Sequence, residues 1–184
     1  MVLEKGLVSH CAPTLASIKT GSLFRLLHEP EESPEGQVAA LDRQLSARGV
    51  RVTLLRRGRQ GSLIYVFRPK QLERDLSCPR VAEFLSRCGY PGPEPRSALC
   101  HLCRRLEEKE DFPHEIGLFL GYPLEDVEGF IANKGKNCKC TGCWKVYCNE
   151  EEAVRRFRQF KKCAEVYRKL WEQGRSVEQL TVAV

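Results

Sequence analysis

The chain has 184 residues, with 30 Lys and Arg against 24 Asp and Glu, which gives a formal net charge of +6. Its 42% hydrophobic and 29% charged residues are typical of a folded globular protein and exclude a wholly disordered chain. The longest apolar run, residues 116–124, is too short to span a membrane, so no membrane association is expected.

The first part of the chain is predicted to form two helices followed by a β-hairpin. Cys11-Ala12-Pro13-Thr14 is expected to open the first helix, because proline is tolerated in a first helical turn. Ser33-Pro34-Glu35 should open the second helix, and Gly49 should end it. Residues 50–55 and 62–67 are rich in β-branched and aromatic side chains and flank a polar loop, a pattern that predicts a hairpin.

The rest of the chain is predicted to be mostly helical. Downstream of Ser77, apolar residues at helical spacing predict six more helices, the longest running from Asn149 to Gly174. Residues 144–148 should form a short third strand. The predicted fold class is therefore α+β: one helix-rich domain over residues 1–184, packed on a small three-stranded antiparallel sheet. Residues 90–95 contain three prolines and mark a possible subdomain break.

Ten cysteines are an unusual number for a chain of this length. The N-terminal residues contain no apolar stretch of the kind that a secretory signal needs, so a cytoplasmic location is expected. Disulfides are rare in the reducing cytosol. We therefore interpret the cysteines as buried hydrophobic residues, metal ligands or reactive thiols.

Positive charge is concentrated between Arg43 and Lys70, where eight basic residues occur without an acidic one. Such a stripe can meet phosphates or an acidic protein, which would make the chain a non-enzymatic binding or adaptor protein. The alternative is a solvated hairpin with arginines on its outer face. No aromatic residues alternate with these arginines, as they do in proteins that bind single-stranded nucleic acid.

Three segments of the sequence resemble a known family. They read HCAPTLASIKT at residues 10–20, FPHEIGLFLGYPLEDV at 112–127, and NKGKN followed by CTGCWKVY within 133–147. Together they are similar to a family of uncharacterised proteins from Gram-positive anaerobes, catalogued as a domain of unknown function. The resemblance covers nearly the whole chain and implies a small cytoplasmic bacterial protein. It also implies that Cys143 and Cys148 can be replaced by other residues.

A cysteine nucleophile is the first candidate chemistry. If Cys11 opens a helix, the unpaired N–H groups there would stabilise its thiolate. His114 could then act as the base, with Glu115 following it and with Asp126 or Asn133 orienting the imidazole. This set would make a thiol-dependent hydrolase or transferase. The alternative is a buried structural thiol and a histidine at a helix end.

A metal site is the second candidate. Cys140 and Cys143 have the two-residue gap of a metal knuckle, and Cys138 lies close by. Cys100 and Cys103 could supply a second pair for zinc or iron, although core packing of a helix explains that pair equally well. Neither metal is required by the sequence.

A helix-turn-helix arrangement is the third candidate, over residues 116–131. The helix that would enter the major groove exposes Glu125, Asp126 and Glu128, which phosphates would repel. We therefore interpret the segment as a helical hairpin used for packing, and binding to duplex DNA is not expected.

An anion-binding loop is the fourth candidate. Asn133, Lys134, Lys136 and Lys139 surround a glycine in a loop that could bind a small anionic ligand, although the full phosphate-loop pattern is absent. An exposed helix end with dipole-complementing lysines is the alternative. If the three segments converge, one cleft should hold seven residues: Cys11, Lys19, His114, Glu115, Lys134, Lys136 and Cys140. The preferred hypothesis is a thiol-containing cleft for a small anionic ligand.

Overall fold

The computed structural model describes residues 2–29, 33–108 and 112–184. Within these ranges the chain forms nine helices, a three-stranded antiparallel sheet and a separate two-stranded hairpin, which confirms the predicted α+β class. The helices are α1 (Val2–Leu15), α2 (Glu35–Ser46), α3 (Pro69–Leu76), α4 (Pro79–Arg87), α5 (Pro95–Glu107), α6 (Ile116–Phe119), α7 (Leu124–Ala132), α8 (Glu150–Glu172) and α9 (Val177–Leu180). The strands are β1 (Gly21–Leu26), β2 (Arg51–Arg56), β3 (Ser62–Phe67), β4 (Cys140–Thr141) and β5 (Lys145–Val146).

Strand β3 lies at the centre of the sheet, between β1 and β2, and its nearly continuous apolar sequence suits that position. Ile64 and Val66 point into one core, formed with α1, α2 and α9. Tyr65 and Phe67 point into a second core, formed with helices α3 to α7. The sheet therefore separates two hydrophobic cores and has helices on both faces.

The first core is closed by a buried arginine. Arg68, at the end of β3, is 2% exposed, and its guanidinium donates to the carbonyls of Thr14, Leu15 and Val182 at 2.7–2.8 Å. The Thr14 and Leu15 carbonyls belong to the last turn of α1. Because the helix ends there, no amide four residues further along the helix donates to them. Arg68 thus ties the end of α1 to the sheet and to the C-terminal segment.

A third, smaller cluster joins the β4–β5 hairpin to the start of α8. It consists of Trp144, Val146, Ala153 and Phe160, with Tyr122 packed against it. This cluster brings together parts of the chain that are far apart in sequence, and the candidate site lies beside it.

Two local predictions are wrong. The third strand of the main sheet is β1, which pairs with β3 from Gly21 opposite Phe67, whereas residues 145–146 pair only with 140–141. Helix α1 begins at Val2, so Cys11 lies near its C-terminal end and not at its N-terminus. Pro13 lies inside this helix, which ends two residues later, so the proline interrupts little helical hydrogen bonding. The helix predicted after Ser77 is confirmed by α4, whereas α3, which precedes it from Pro69, was not predicted.

The predicted hairpin and the longest helix are confirmed. Strands β2 and β3 cover the expected segments, with an irregularity between Leu54 and Arg56, and α8 begins directly after Asn149. Residues on both sides of segment 90–95 share the second core, and the single-domain organisation stays a prediction. In the described ranges, every helix is too short or too polar to cross a membrane.

Candidate functional site

Tyr122 is the point where the three recognisable segments meet. Its ring stacks on Trp144, with centroids 4.8 Å apart, and the Lys19 ammonium lies 5.4 Å from the Tyr122 ring centroid. The Tyr122 hydroxyl donates to the Cys143 carbonyl at 3.1 Å. Residues from segments 10–20, 112–127 and 133–147 therefore surround one aromatic ring.

Lys19 is held by an unusual turn after α1. Ser17 has a φ of +62°, in the left-handed region that non-glycine residues seldom occupy. Gln71 of α3 braces this turn by donating to both the carbonyl and the hydroxyl oxygen of Ser17, at 3.2 and 3.0 Å. The turn directs Lys19 inward, so that its side chain is only 9% exposed and donates to the Gly21 carbonyl.

Burial makes Lys19 an unusual amine. Loss of hydration lowers its pKa from 10.5 to about 8; the nearby Cys11 and Cys143 thiols oppose this shift, and the Arg156 charge adds to it. An ammonium group has three N–H donors, and the described residues provide one hydrogen-bond acceptor, the Gly21 carbonyl. The group is therefore incompletely satisfied by the protein.

Arg156 of α8 supplies a second positive charge to the site. Its guanidinium lies 5.2 Å from the ring centroid of Trp144 and 5.8 Å from that of Phe160, and it donates to the Gly121 carbonyl at 3.2 Å. Among the described residues, no carboxylate oxygen lies within 4 Å of the Lys19 or Arg156 side-chain nitrogens. Two cationic side chains thus share a site without an ion-pair partner there.

Both cations line a cleft of about 510 Å³. Gly121 forms one wall, and its φ of +73° lies in the left-handed region that favours glycine. A Cβ atom there would also lie only 3.0 Å from the Thr20 hydroxyl. The cleft also contains two carboxylates that are already engaged. Asp75 accepts from the Thr20 hydroxyl, and Glu125 pairs with Arg80 at 2.6 Å. Arg74 and Cys78 also line the cleft.

A second cavity, of about 350 Å³, lies on the other side of Tyr122 and is mainly apolar. Phe130, Trp144 and His114 contribute rings to its lining, and the His114 ring packs on Phe130 with centroids 4.8 Å apart. His114 is exposed and thus lies beside an aromatic cavity rather than within the cationic cleft.

The candidate catalytic set Cys11, His114 and Glu115 is not assembled in the structure. Cys11 is fully buried in the first core, and burial raises the pKa of its thiol strongly despite the nearby Lys19 charge. Glu115 is buried as well, and its carboxylate accepts from the Tyr90 hydroxyl at 3.2 Å and pairs with Arg105 at 3.4 Å. No hydrogen bond in the described ranges joins any two of the three. The thiolate argument for Cys11 fails because the residue is not at a helix N-terminus.

The two suggested orienting residues have structural partners of their own. Asp126 accepts from the Trp144 indole N–H at 2.7 Å and from the Tyr147 and Cys148 amides at 2.7 and 2.9 Å, so it fastens the β4–β5 hairpin to α7. Asn133 donates to the Gly129 carbonyl at 2.8 Å and closes the end of α7.

The predicted anion-binding loop lies apart from the cationic cleft. Lys134, Lys136 and Lys139 are exposed, and none of them lines it. Lys134 has a φ of +51° in a tight turn, and Lys139 donates to the Cys148 carbonyl at 2.6 Å. Of the predicted ligand-binding residues, Lys19 alone is placed in the cleft.

The predicted metal ligands Cys138, Cys140 and Cys143 have different surroundings. Across the described residues, no three His, Cys, Asp or Glu side chains are grouped as metal ligands, and all ten cysteines are free thiols. The Cys138 thiol lies 3.4 Å from the Thr141 hydroxyl. Burial raises the pKa of Cys143, while the charges of Lys19 and Arg156 lower it, so among these three thiols Cys143 is the one close to the cations of the cleft.

The basic stripe from Arg43 to Lys70 is partly paired within the molecule. Arg51 forms an ion pair with Asp42 at 2.7 Å, and Arg68 is buried. Two further ion pairs involve residues of the stripe, Arg57 with Glu35 and Arg48 with Glu178. The outer face of the hairpin is therefore less positive than its sequence indicates.

Sequence reasoning missed Arg156 and Tyr122. Arg156 lies 35 residues beyond Gly121 in one of many basic positions of α8, and nothing in the local pattern distinguishes it from its neighbours. Tyr122 occurs within a recognisable segment, but its role depends on Lys19 and Trp144, which the fold brings to it.

Comparison with known proteins places the chain in a family. The model of the protein family of unknown function DUF3793 matches residues 7–181, so the chain belongs to this family. Neither the curated proteins nor the solved structures that were compared with the chain gave a match.

Proposed function

We propose that the protein binds a small anionic ligand in the cleft lined by Lys19 and Arg156. The observation that carries this proposal is the pairing of two partly or fully buried cations that lack a carboxylate partner within 4 Å in the described ranges. Buried charges are ordinarily paired, because removal of an ion from water is costly. An anion in the cleft would supply the missing charge.

The hydrogen-bonding capacity of the two side chains supports the same ligand class. Arg156 uses one described hydrogen bond, to Gly121, and the fork of a guanidinium matches a carboxylate or phosphate. Lys19 also uses one, to Gly21. The remaining donors can serve the oxygens of one anion, and a cleft of about 510 Å³ is in the range of small-molecule sites.

A proton is expected to accompany the ligand. An anion beside Lys19 favours the charged amine, so binding should raise the lowered Lys19 pKa back toward its ordinary value. At a pH near 8 the protein should therefore take up part of a proton when the ligand binds. The thiol of Cys143 lies close enough to respond to the same charges.

Titration calorimetry with phosphate, sulfate and oxalate as probes tests the proposal. We expect millimolar or tighter binding at one site, with proton uptake revealed by repeating the titration in buffers of different ionisation enthalpy. Lys19→Met and Arg156→Gln should each weaken binding about 10- to 100-fold, the loss of one charged hydrogen bond or two. Arg158→Gln is the matched control, since Arg158 is exposed on the same helix as Arg156.

Two results would overturn the proposal. One is the absence of binding by all three probes, and the other is equal binding by the wild type and both cleft variants. Because Arg156 also packs on Trp144, Arg156→Lys should accompany Arg156→Gln. The lysine variant retains the charge and should keep more of the affinity than the glutamine variant, whereas equal losses would indicate a packing role only.

A further inference from the structure

We infer that Lys19 forms an imine with the carbonyl carbon of a small ligand that also carries a carboxylate or phosphate, 2-oxo acids being the simplest class. The inference deepens the proposed function and rests on it, because Arg156 would hold the anionic group while the Lys19 amine meets the carbonyl. The cleft contains both groups.

The position of Lys19 suits an amine nucleophile better than a salt-bridge lysine. Its side chain is 9% exposed, lies 5.4 Å from the centroid of the Tyr122 ring, and shares the cleft with the Arg156 guanidinium. Lysines that react with carbonyl compounds are kept partly neutral by an apolar pocket or by a neighbouring cation. The second condition holds here, since Arg156 is a neighbouring cation, and burial of the Lys19 side chain lowers its pKa to about 8.

The hydrogen bond from Lys19 to the Gly21 carbonyl is compatible with this reaction. A neutral amine has two N–H groups and one lone pair, so one N–H can remain on the Gly21 carbonyl while the lone pair attacks. The Ser17 turn and its two hydrogen bonds from Gln71 fix the start of the segment that carries the amine. Such a fixed arrangement reduces the entropy lost when the reacting atoms meet.

The reaction is balanced without an oxidant or a reductant. The Lys19 nitrogen forms a bond to the carbonyl carbon, and a proton passes from nitrogen to the carbonyl oxygen, giving a carbinolamine. The second nitrogen proton, released from the Gly21 carbonyl, then reaches that oxygen through solvent, the oxygen leaves as water, and a carbon–nitrogen double bond replaces the carbon–oxygen bond. The net change is amine plus carbonyl compound to imine plus water. The cleft is open to solvent, which can receive the water.

Reductive trapping tests the inference. Wild-type protein is incubated near neutral pH with pyruvate and cyanoborohydride, and peptide mapping by mass spectrometry locates the reduced adduct. At pH 7 a lysine with a pKa near 8 has roughly 300-fold more neutral amine than an ordinary lysine, so Lys19 should be labelled at least about 10-fold faster than exposed lysines. Lys19→Arg should lose the adduct, whereas the exposed Lys161→Arg control should retain it.

The outcomes separate this inference from the proposed function. If phosphate binds and Arg156→Gln weakens it, but pyruvate labels Lys19 no faster than exposed lysines, the imine is wrong and the anion site stands. If Lys19 is labelled equally by pyruvate and by acetone, and Arg156→Gln changes neither rate, the amine is reactive and the anion site is wrong. Wild-type labelling rates need no variant, so a poorly folded Lys19→Arg protein would not prevent a decision.

Discussion

Replacement of Lys19 by methionine should change how the stability of the protein depends on pH. The pKa of Lys19 is lowered from 10.5 to about 8 in the folded protein, first by loss of hydration and then by the charge of Arg156. The unfolded chain therefore binds more protons than the folded one between these two values. Under that condition the free energy of unfolding rises with pH. Methionine has a similar length but no proton to exchange.

The size of the effect follows from the shift. Each pKa unit corresponds to about 1.4 kcal/mol, so the full shift corresponds to about 3 kcal/mol, most of it gained between about pH 7 and pH 10. The buried thiols of Cys11 and Cys143 have the opposite effect at high pH, because burial raises their pKa and they keep their protons longer than unfolded thiols. Because the Lys19 charge lowers the pKa of both thiols, their contribution cancels only in part in the difference between the two proteins.

Urea unfolding followed by circular dichroism, in reducing buffer at several pH values, measures this difference. The stability of the wild type relative to Lys19→Met should rise by about 2–3 kcal/mol from about pH 7 to pH 10. Parallel curves would refute the reasoning, since they would show that Lys19 titrates normally in the folded protein. Saturating phosphate should flatten the rise, because a bound anion favours the charged amine; an unchanged rise would count against the anion site alone.

Three further predictions concern the residues around the site. Arg68→Met should lower the free energy of unfolding by about 3–5 kcal/mol, because buried carbonyls lose a charged donor, whereas the exposed Arg43→Met should change it by less than about 0.5; equal small effects in urea unfolding would contradict this. Asp126→Asn should lower the free energy of unfolding by about 2–3 kcal/mol in the same assay and alter tryptophan fluorescence. Asp126 accepts hydrogen bonds through both carboxylate oxygens, whereas the asparagine amide has only one acceptor oxygen. Unchanged stability would refute the fastening role. Cys11 should react with iodoacetamide at least about 100-fold more slowly than the exposed Cys100 in native protein, and comparable rates would restore Cys11 as a nucleophile.

The hairpin and the long helix α8 could be predicted because their signals are local. Residues 50–55 and 62–67 have the composition of strands and are joined by a short polar loop, and α8 has a capping asparagine with an apolar stripe. Strand β1 could not be predicted in the same way. It is an edge strand whose pairing with β3 spans about 40 residues of sequence, and its leading Gly21 resembles a helix break.

Of the side chains at the site, only Lys19 was predicted from the sequence, as a charged residue of a recognisable segment. Lys19 and Tyr122 lie in such segments, but the contact between them is a tertiary one. Arg156 lies outside them, and its place in the cleft depends on the packing of α8 against Trp144. The expected convergence of all candidate residues failed because the lysines after α7 remain at the surface.

In the HCAPTLASIKT segment, the residues up to Thr14 have structural contacts, and Lys19 is the residue that reaches the cleft. Cys11 is enclosed by the first core. The Thr14 hydroxyl is hydrogen bonded to Ser22 at 2.9 Å, and the Thr14 carbonyl receives the Arg68 guanidinium. These contacts anchor the end of α1, and the braced turn that follows turns the chain toward the cleft. The residues before Lys19 thus fix the position of an amine that burial has made less basic, which is the arrangement that a reactive lysine needs.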